Sequence, residues 1–165
     1  MQTKKTSTRP TMALLFVLLT TVLLFPGPAS SEVKLLKGQT VYTPAYSHIY
    51  YGDRELPFYL TVTLSIRNTD PAHSITLVSV DYHDSEGKRI QRYLEKEMKI
   101  GPLASTRFVV KESDKSGGSG ASFLVTWKSD HKVCEPIIET IMISTSTQQG
   151  ISFSSRGLPL KETRD

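Results

Sequence analysis

Residues 58–68, which read FYLTVTLSIRN, alternate strictly between apolar and polar side chains from Leu60 to Arg67. A period of two matches the pleat of a β-strand, whose successive side chains point to opposite faces, and differs from the 3.6-residue period of a helix. One face of this strand is therefore expected in a core and the other in solvent. No segment after residue 31 shows a long helical period, so the pattern constrains the chain to an all-β fold.

Segments of the same character recur along the chain and are separated by turn residues such as Asp70-Pro71 and Gly87. About seven or eight short antiparallel strands at this spacing are typical of a β-sandwich, and the length favours a single immunoglobulin-like domain. A jelly roll or a small barrel is the alternative. We expect Trp127 to pack between the sheets. Further strands are expected at residues 75–84, 89–94, 105–112, 121–129, 136–146 and 150–157, with one or two short ones within 39–51.

The first 31 residues have the three-part pattern of a secretory signal. A basic end precedes the uncharged segment MALLFVLLTTVLLF, and small residues follow it. A membrane span needs about 20 apolar residues, which favours a signal cleaved after Ala29 or Ser31 over an uncleaved anchor. The predicted organisation is a signal peptide at residues 1–31, a short linker at 32–40, a β-sandwich domain at 41–157 and a flexible tail at 158–165. The expected location is the periplasm or cell envelope.

Loss of this segment changes the charge of the chain. It carries three of the 20 basic residues and none of the 16 acidic ones, so its removal lowers the formal net charge from +4 to +1. The remaining Lys and Arg residues are interspersed with acids, and nucleic-acid binding is not expected. Because Cys134 is the only cysteine, an internal disulfide is excluded. A buried inert thiol is expected there, with an intermolecular bridge or a metal ligand as alternatives.

Two segments are similar to ligand-binding loops but lack their essential residues. The glycine-rich segment SGGSGASFLVTW, Ser116 to Trp127, has no Lys after its glycines and leads into a strand, so phosphate binding is not expected. It predicts a mobile turn before a core strand. If Gly87 in the segment DYHDSEGKRI were the sixth residue of a calcium loop, Tyr82 and Tyr93 would be its first and last residues. Acidic ligands are required at both positions, so calcium binding is not expected.

The sequence also gives no support to a cofactor, a metal or catalysis. A blue-copper loop needs a His after its Cys, whereas His131 precedes Cys134 and no His follows it. A non-standard site from these two residues is the alternative. Gly-x-Ser-x-Gly and His-Glu-x-x-His motifs are absent, and no carboxylate pair stands out, so enzyme activity is not expected. An unrecognised hydrolase is the weakest alternative.

The segment VYTPAYSHIYYGDRELPFY is rich in aromatic residues. In an extended chain Tyr46, His48 and Tyr50 share one face, while Ile49 and Tyr51 point the other way and could anchor the segment. A row of amphipathic rings suits contact with another molecule. We therefore predict that Tyr46, His48 and Tyr50 bind an envelope protein or a glycan. The alternative is that tyrosines are simply common in strands.

Six strings in order resemble an uncharacterised family of exported bacterial proteins, the domain of unknown function 3124. They are VYTPAYSHIYYGD, LTVTLSIRNTDP, ITLVSVDYHDSEGK, PLASTRFVV, SGGSGASFLVTW and QQGISFSSRG, and they span roughly residues 41–157. The resemblance implies a bacterial source and one envelope domain, and it implies no activity, ligand or catalytic residue. Some members carry a lipoprotein Cys that this chain lacks. We expect a non-catalytic binding or structural module, with a ligand- or metal-binding protein as the alternative.

Overall fold

The computed structural model describes residues 33–145 and 150–164, and the predicted signal at 1–31 lies outside them. The described residues form twelve strands and no helix. Accordingly, no helix in the described ranges is long and apolar enough to cross a membrane. The strands are β1 (Leu35–Pro44), β2 (His48–Tyr51), β3 (Leu56–Tyr59), β4 (Thr61–Arg67), β5 (Ile75–His83), β6 (Arg89–Arg92), β7 (Met98–Ile100), β8 (Ser105–Val110), β9 (Ser122–Cys134), β10 (Ile137–Ser144), β11 (Ile151–Arg156) and β12 (Leu158–Thr163).

The strands are arranged in two main sheets and one separate hairpin. The larger sheet has the order β12-β1-β9-β5-β6, with β7 also paired to β5, and the smaller one has the order β11-β10-β4-β8. Strands β2 and β3 form the hairpin. Every pairing is antiparallel. Buried side chains from both main sheets make one core, which confirms the all-β, sandwich-like class.

The alternation seen in the sequence determines which side chains enter that core. Val62, Leu64 and Ile66 on β4 are fully buried, while Thr61 and Thr63 are only partly buried. Ser65 departs from the alternation, because it is buried as well. Trp127 of β9 is buried as predicted, and its indole N–H donates to the Gln39 Oε1 atom of β1 at 3.3 Å. The Trp127–Gln39 bond satisfies the polar atom of the largest core side chain.

The structure differs from the predicted organisation at both ends of the domain. Strand β1 begins at Leu35, inside the expected linker 32–40, and Leu36 is fully buried. Residues 158–163 of the expected flexible tail form β12, which pairs with β1 at the edge of the larger sheet. Strand β12 pairs with β1 alone, and its side chains Leu158 and Leu160 are exposed. The sequence therefore gives little indication that residues 158–163 form a strand.

The strand predicted at residues 58–68 is divided in two. The division lies at Leu60, whose N–H donates to the Ser47 carbonyl at 2.9 Å instead of continuing a sheet ladder. The residues before it form β3 and pair with β2, and those after it form β4 in the smaller sheet. This division and the additional strands β7 and β12 raise the number of strands above the seven or eight expected. The division also creates the hairpin that carries His48 and Tyr50.

Candidate functional site: an aromatic hairpin

The β2–β3 hairpin is closed by residues 52–55, where Gly52 and Glu55 have positive φ angles of 68° and 50°. The Glu55 N–H donates to the Gly52 carbonyl at 3.1 Å. Glycine adopts this backbone conformation without steric cost, which explains the turn at this position. The register places His48 opposite Tyr59 and Tyr50 opposite Pro57. These four residues therefore lie on one side of the hairpin, which we call the aromatic face.

The other side of the hairpin faces the core. Phe58 is buried, and Ile49 opposite it is packed against the core cluster. Tyr51 lies on this side as predicted and contacts Phe58 edge to face, with ring centroids 6.1 Å apart. Its side chain is nevertheless 53% exposed, so Ile49 and Phe58 provide the anchor.

On the aromatic face, the rings contact one another in perpendicular and tilted arrangements. The His48 Nε2 atom lies 3.0 Å from the Tyr50 hydroxyl, and the two rings meet edge to face with centroids 5.0 Å apart. The His48 ring also contacts Tyr59 at 5.9 Å. Tyr50 is 56% exposed and the His48 Nδ1 atom is buried without a hydrogen-bond partner among the described residues. The face thus combines an exposed phenol with a histidine fixed by two tyrosines.

A cation completes the aromatic face. The Lys115 ammonium lies over the Tyr59 ring, 4.2 Å from its centroid, which is within the range of a cation–π contact. Lys115 belongs to residues 111–121, the connection between β8 and β9, which we call the glycine loop. Tyr59 belongs to the predicted aromatic segment but not to the predicted binding residues, and Lys115 was not predicted at all. Their places depend on the hairpin register and on the packing of a loop that is distant in sequence.

Tyr46, the third predicted binding residue, lies just before β2 and is partly buried. Its ring packs edge to face against Phe153 of β11, with centroids 5.8 Å apart. The structure therefore brings His48 and Tyr50 together and gives Tyr46 a packing contact with the smaller sheet. Tyr46 therefore packs against the core and is not part of the aromatic face.

The glycine loop is held on both sides, whereas the sequence predicted a mobile turn. The Ser47 N–H donates to the Gly118 carbonyl and the Ser85 N–H to the Gly117 carbonyl, both at 3.0 Å. The Ser47 hydroxyl is hydrogen-bonded to the Tyr82 hydroxyl at 2.8 Å, and burial raises the pKa of Tyr82. These bonds fix the loop, and with it Lys115, between the hairpin and the turn after β5.

A cavity of about 250 Å³ lies between the glycine loop and strand β6, lined by residues that include Gln91, Tyr93 and Asp114. The Tyr93 ring packs against Phe108 and Phe123, with centroids 5.5 and 5.8 Å apart. Burial, with the neighbouring Tyr82 and Asp114, raises the pKa of Tyr93 to about 12. Tyr93 therefore stays protonated at physiological pH and presents a neutral phenol at the cavity.

His131 and Cys134, the residues of the alternative metal site, contact different neighbours in the structure. The His131 ring stacks on His73, with centroids 4.4 Å apart, and the Cys134 N–H donates to the Asp70 Oδ2 atom at 3.1 Å. Cys134 is a free, half-buried thiol, less enclosed than expected. Across residues 33–145 and 150–164, no group of three His, Cys, Asp or Glu side chains is arranged to hold a metal.

Asp70 is the buried acid behind this histidine pair. Its pKa is lowered to about 2, first by the N–H of Ala72 and then by those of His73 and Cys134, which together outweigh the opposing effect of burial. The three donors lie 2.8–3.1 Å from the carboxylate oxygens. Asp70 is therefore ionised at neutral pH and fixed in position by the backbone.

Comparisons with known proteins identify a family. Among solved structures, the chain is similar to the crystal structure of Thermotoga maritima 1070, with 10% identity and a TM-score of 0.45 over 73% of this chain and 92% of that one. No curated protein matches the sequence. A family model described as a protein of unknown function (DUF3124) matches residues 38–160, which run from β1 into β12. The chain therefore belongs to the DUF3124 family.

Proposed function

We propose that this protein is an exported, non-catalytic binding module of the bacterial cell envelope and that the aromatic face is its binding surface. The observation that carries the proposal is the hairpin register, which gathers His48, Tyr50 and Tyr59 on one side, with the Lys115 ammonium over the Tyr59 ring. Export is supported by the basic, apolar and small-residue pattern of residues 1–31. The proposed partner is an envelope protein, with a glycan as the second candidate.

The chemistry of the aromatic face suits the binding of another chain. Tyrosine offers a large apolar ring and a hydroxyl, and it loses little conformational entropy when it is immobilised. Here His48 already holds the Tyr50 hydroxyl at 3.0 Å, so part of that entropy has been lost before a partner arrives. The Lys115 ammonium adds a positive charge beside the rings, which favours partners with carboxylate or hydroxyl groups.

A binding role also fits the contacts of His48 better than a hydrolytic one. A general base in a hydrolase is oriented by a third group, most often a carboxylate, and lies within reach of a nucleophile. Within the described residues, His48 contacts the rings of Tyr50 and Tyr59 instead. This environment supports a contact surface in which the imidazole is a packing and hydrogen-bonding group.

The test compares two neighbouring tyrosines of nearly equal exposure on opposite sides of the hairpin. Tyr50→Ala removes the exposed ring of the aromatic face, and Tyr51→Ala is the matched control, since the two side chains are 56% and 53% exposed. Tagged wild-type and variant proteins are expressed in the native host, crosslinked in intact cells and purified. Captured proteins are identified by mass spectrometry, and glycan binding is measured by cosedimentation with purified cell walls.

We expect one envelope component to be lost with Tyr50→Ala and kept with Tyr51→Ala. A partner recovered equally with both variants would refute the assignment of the aromatic face. Export is tested separately by N-terminal sequencing of the purified protein. A mature chain that begins at Ser30 or Glu32 is expected, and an intact N-terminus on protein recovered from the cytoplasm would contradict the export proposal.

A further inference from the structure

We propose that His73 and His131 bind a divalent transition-metal ion of the imidazole-preferring class, Cu²⁺ or Zn²⁺. The two rings are stacked with centroids 4.4 Å apart and an interplanar angle of 35°, at the wall of an open cavity. Imidazole nitrogen suits Cu²⁺ and Zn²⁺ and is a poor ligand for Ca²⁺ or Mg²⁺, which prefer oxygen. This site is separate from the aromatic face and does not depend on the function proposed for it.

The first reason is that the Asp70 carboxylate lies beside the His73 ring. The His73 Nδ1 atom lies 3.4 Å from the Asp70 Oδ1 atom, and the carboxylate is itself held by backbone N–H groups, including that of His73. A carboxylate beside one ring nitrogen favours the tautomer that is protonated there and leaves Nε2 as the free electron-pair donor. This is the arrangement that supports metal-binding histidines in many proteins.

The second reason is that hydrogen bonds join the two segments that carry the histidines. The Ser129 hydroxyl donates to the Ser74 carbonyl at 2.9 Å and accepts the N–H of His131 at 3.3 Å. On the other side of the pair, the Cys134 N–H donates to Asp70. The backbone that carries both imidazoles is therefore fixed, and the two side chains would need only to rotate in order to bind an ion.

The third reason is the lining of the cavity. It has a volume of about 260 Å³, which leaves room for an ion with bound waters, and Asp130 lies in its wall beside His131. The two imidazoles would be the first two ligands, and the Asp130 carboxylate with water would complete the coordination once these side chains rotate toward the ion. Lys99 of β7 lines the same cavity, so its positive charge opposes the ion.

The experiment measures binding of CuSO₄ and ZnCl₂ to the metal-free exported protein by titration calorimetry near neutral pH. We expect one ion per chain. His73→Gln and His131→Gln should each weaken binding by about tenfold or more, since changes even to residues behind a metal ligand cost that much. Lys99→Gln should tighten binding about threefold, because it removes an opposing charge at the cavity.

Two control variants separate this site from the alternatives. His83→Gln removes another imidazole, which lies on β5, and Cys134→Ser removes the thiol; neither should change the affinity. In the wild-type protein, Cu²⁺ should broaden the NMR signals of the His73 and His131 imidazoles first, which tests the site without any substitution. No binding of either metal at millimolar concentration, or loss of binding with Cys134→Ser alone, would overturn the proposal.

Discussion

Gly117→Ala should destabilise this protein severely, although it adds a single methyl group. A Cβ atom on residue 117 would lie 2.0 Å from the Tyr82 hydroxyl oxygen and 2.8 Å from the Ala121 Cβ atom. Tyr82 is fully buried, its ring is 4.9 Å from that of Phe123, and its hydroxyl is bonded to Ser47. The Tyr82 side chain therefore cannot move away from the added Cβ atom without disturbing the packed residues around it.

The magnitude follows from how far the two groups must separate. Ordinary van der Waals contact begins at 3.4 Å, so the loop or Tyr82 must move by about 1.4 Å to relieve a 2.0 Å approach. Movement of the loop would break the bonds from the Ser47 and Ser85 N–H groups, at about 1 kcal/mol each. Overpacking adds about 1–3 kcal/mol. We expect the free energy of unfolding to fall by about 3–5 kcal/mol in total.

The assay is urea denaturation followed by the fluorescence of Trp127, the single tryptophan. Gly101→Ala is the control, because a Cβ there meets nothing within 4 Å, and it should change stability by less than about 0.5 kcal/mol. Tyr82→Phe removes the oxygen at 2.0 Å, so Gly117→Ala should cost at least about 1 kcal/mol less in that background. Equal costs for Gly117→Ala and Gly101→Ala, or no coupling to Tyr82→Phe, would refute the reasoning.

Two further predictions concern buried polar groups. Asn68→Ala should lower the free energy of unfolding by about 2–3 kcal/mol, because the buried amide donates to the carbonyls of His73 and Gly101 at 2.8 and 2.9 Å; urea denaturation measures this, and a loss under 0.5 kcal/mol would contradict it. The raised pKa of Tyr93, about 12, means that the unfolded chain ionises first. Stability should therefore fall by about 2 kcal/mol between about pH 10 and 12, and Tyr93→Phe should remove that share; an unchanged alkaline slope would count against it.

Much of the architecture follows from local patterns in the sequence. The period of two in residues 60–67 predicts the burial of the apolar side chains of β4, although Ser65 is buried as well. The segments around 75–83 and 122–129 become central strands of the larger sheet. Trp127 is in the core as its flanking apolar residues suggest. These predictions succeed because burial of one face of a strand requires alternation within that strand alone.

The remaining features depend on contacts between residues distant in sequence. His48 and Tyr50 share a face because of strand geometry, but Tyr59 joins them only through the register of β2 with β3. His73 meets His131 because hydrogen bonds hold the loop after β4 against the last residues of β9. No local pattern encodes such a pairing, and the spacing of His131 and Cys134 suggested a different partner.

The glycine loop shows how packing between residues distant in sequence can affect the proposed binding surface. Its glycines were similar to a phosphate-binding loop in composition, but their positions are explained by close packing: Gly117 fits against Tyr82, and Gly118, with φ of 78°, allows the turn that meets Ser47. The same loop carries Lys115, so the packing of Gly117 determines where the ammonium lies relative to Tyr59. The packing of Gly117 therefore helps to position the Lys115 ammonium beside the aromatic face. A substitution at Gly117 should alter binding as well as stability.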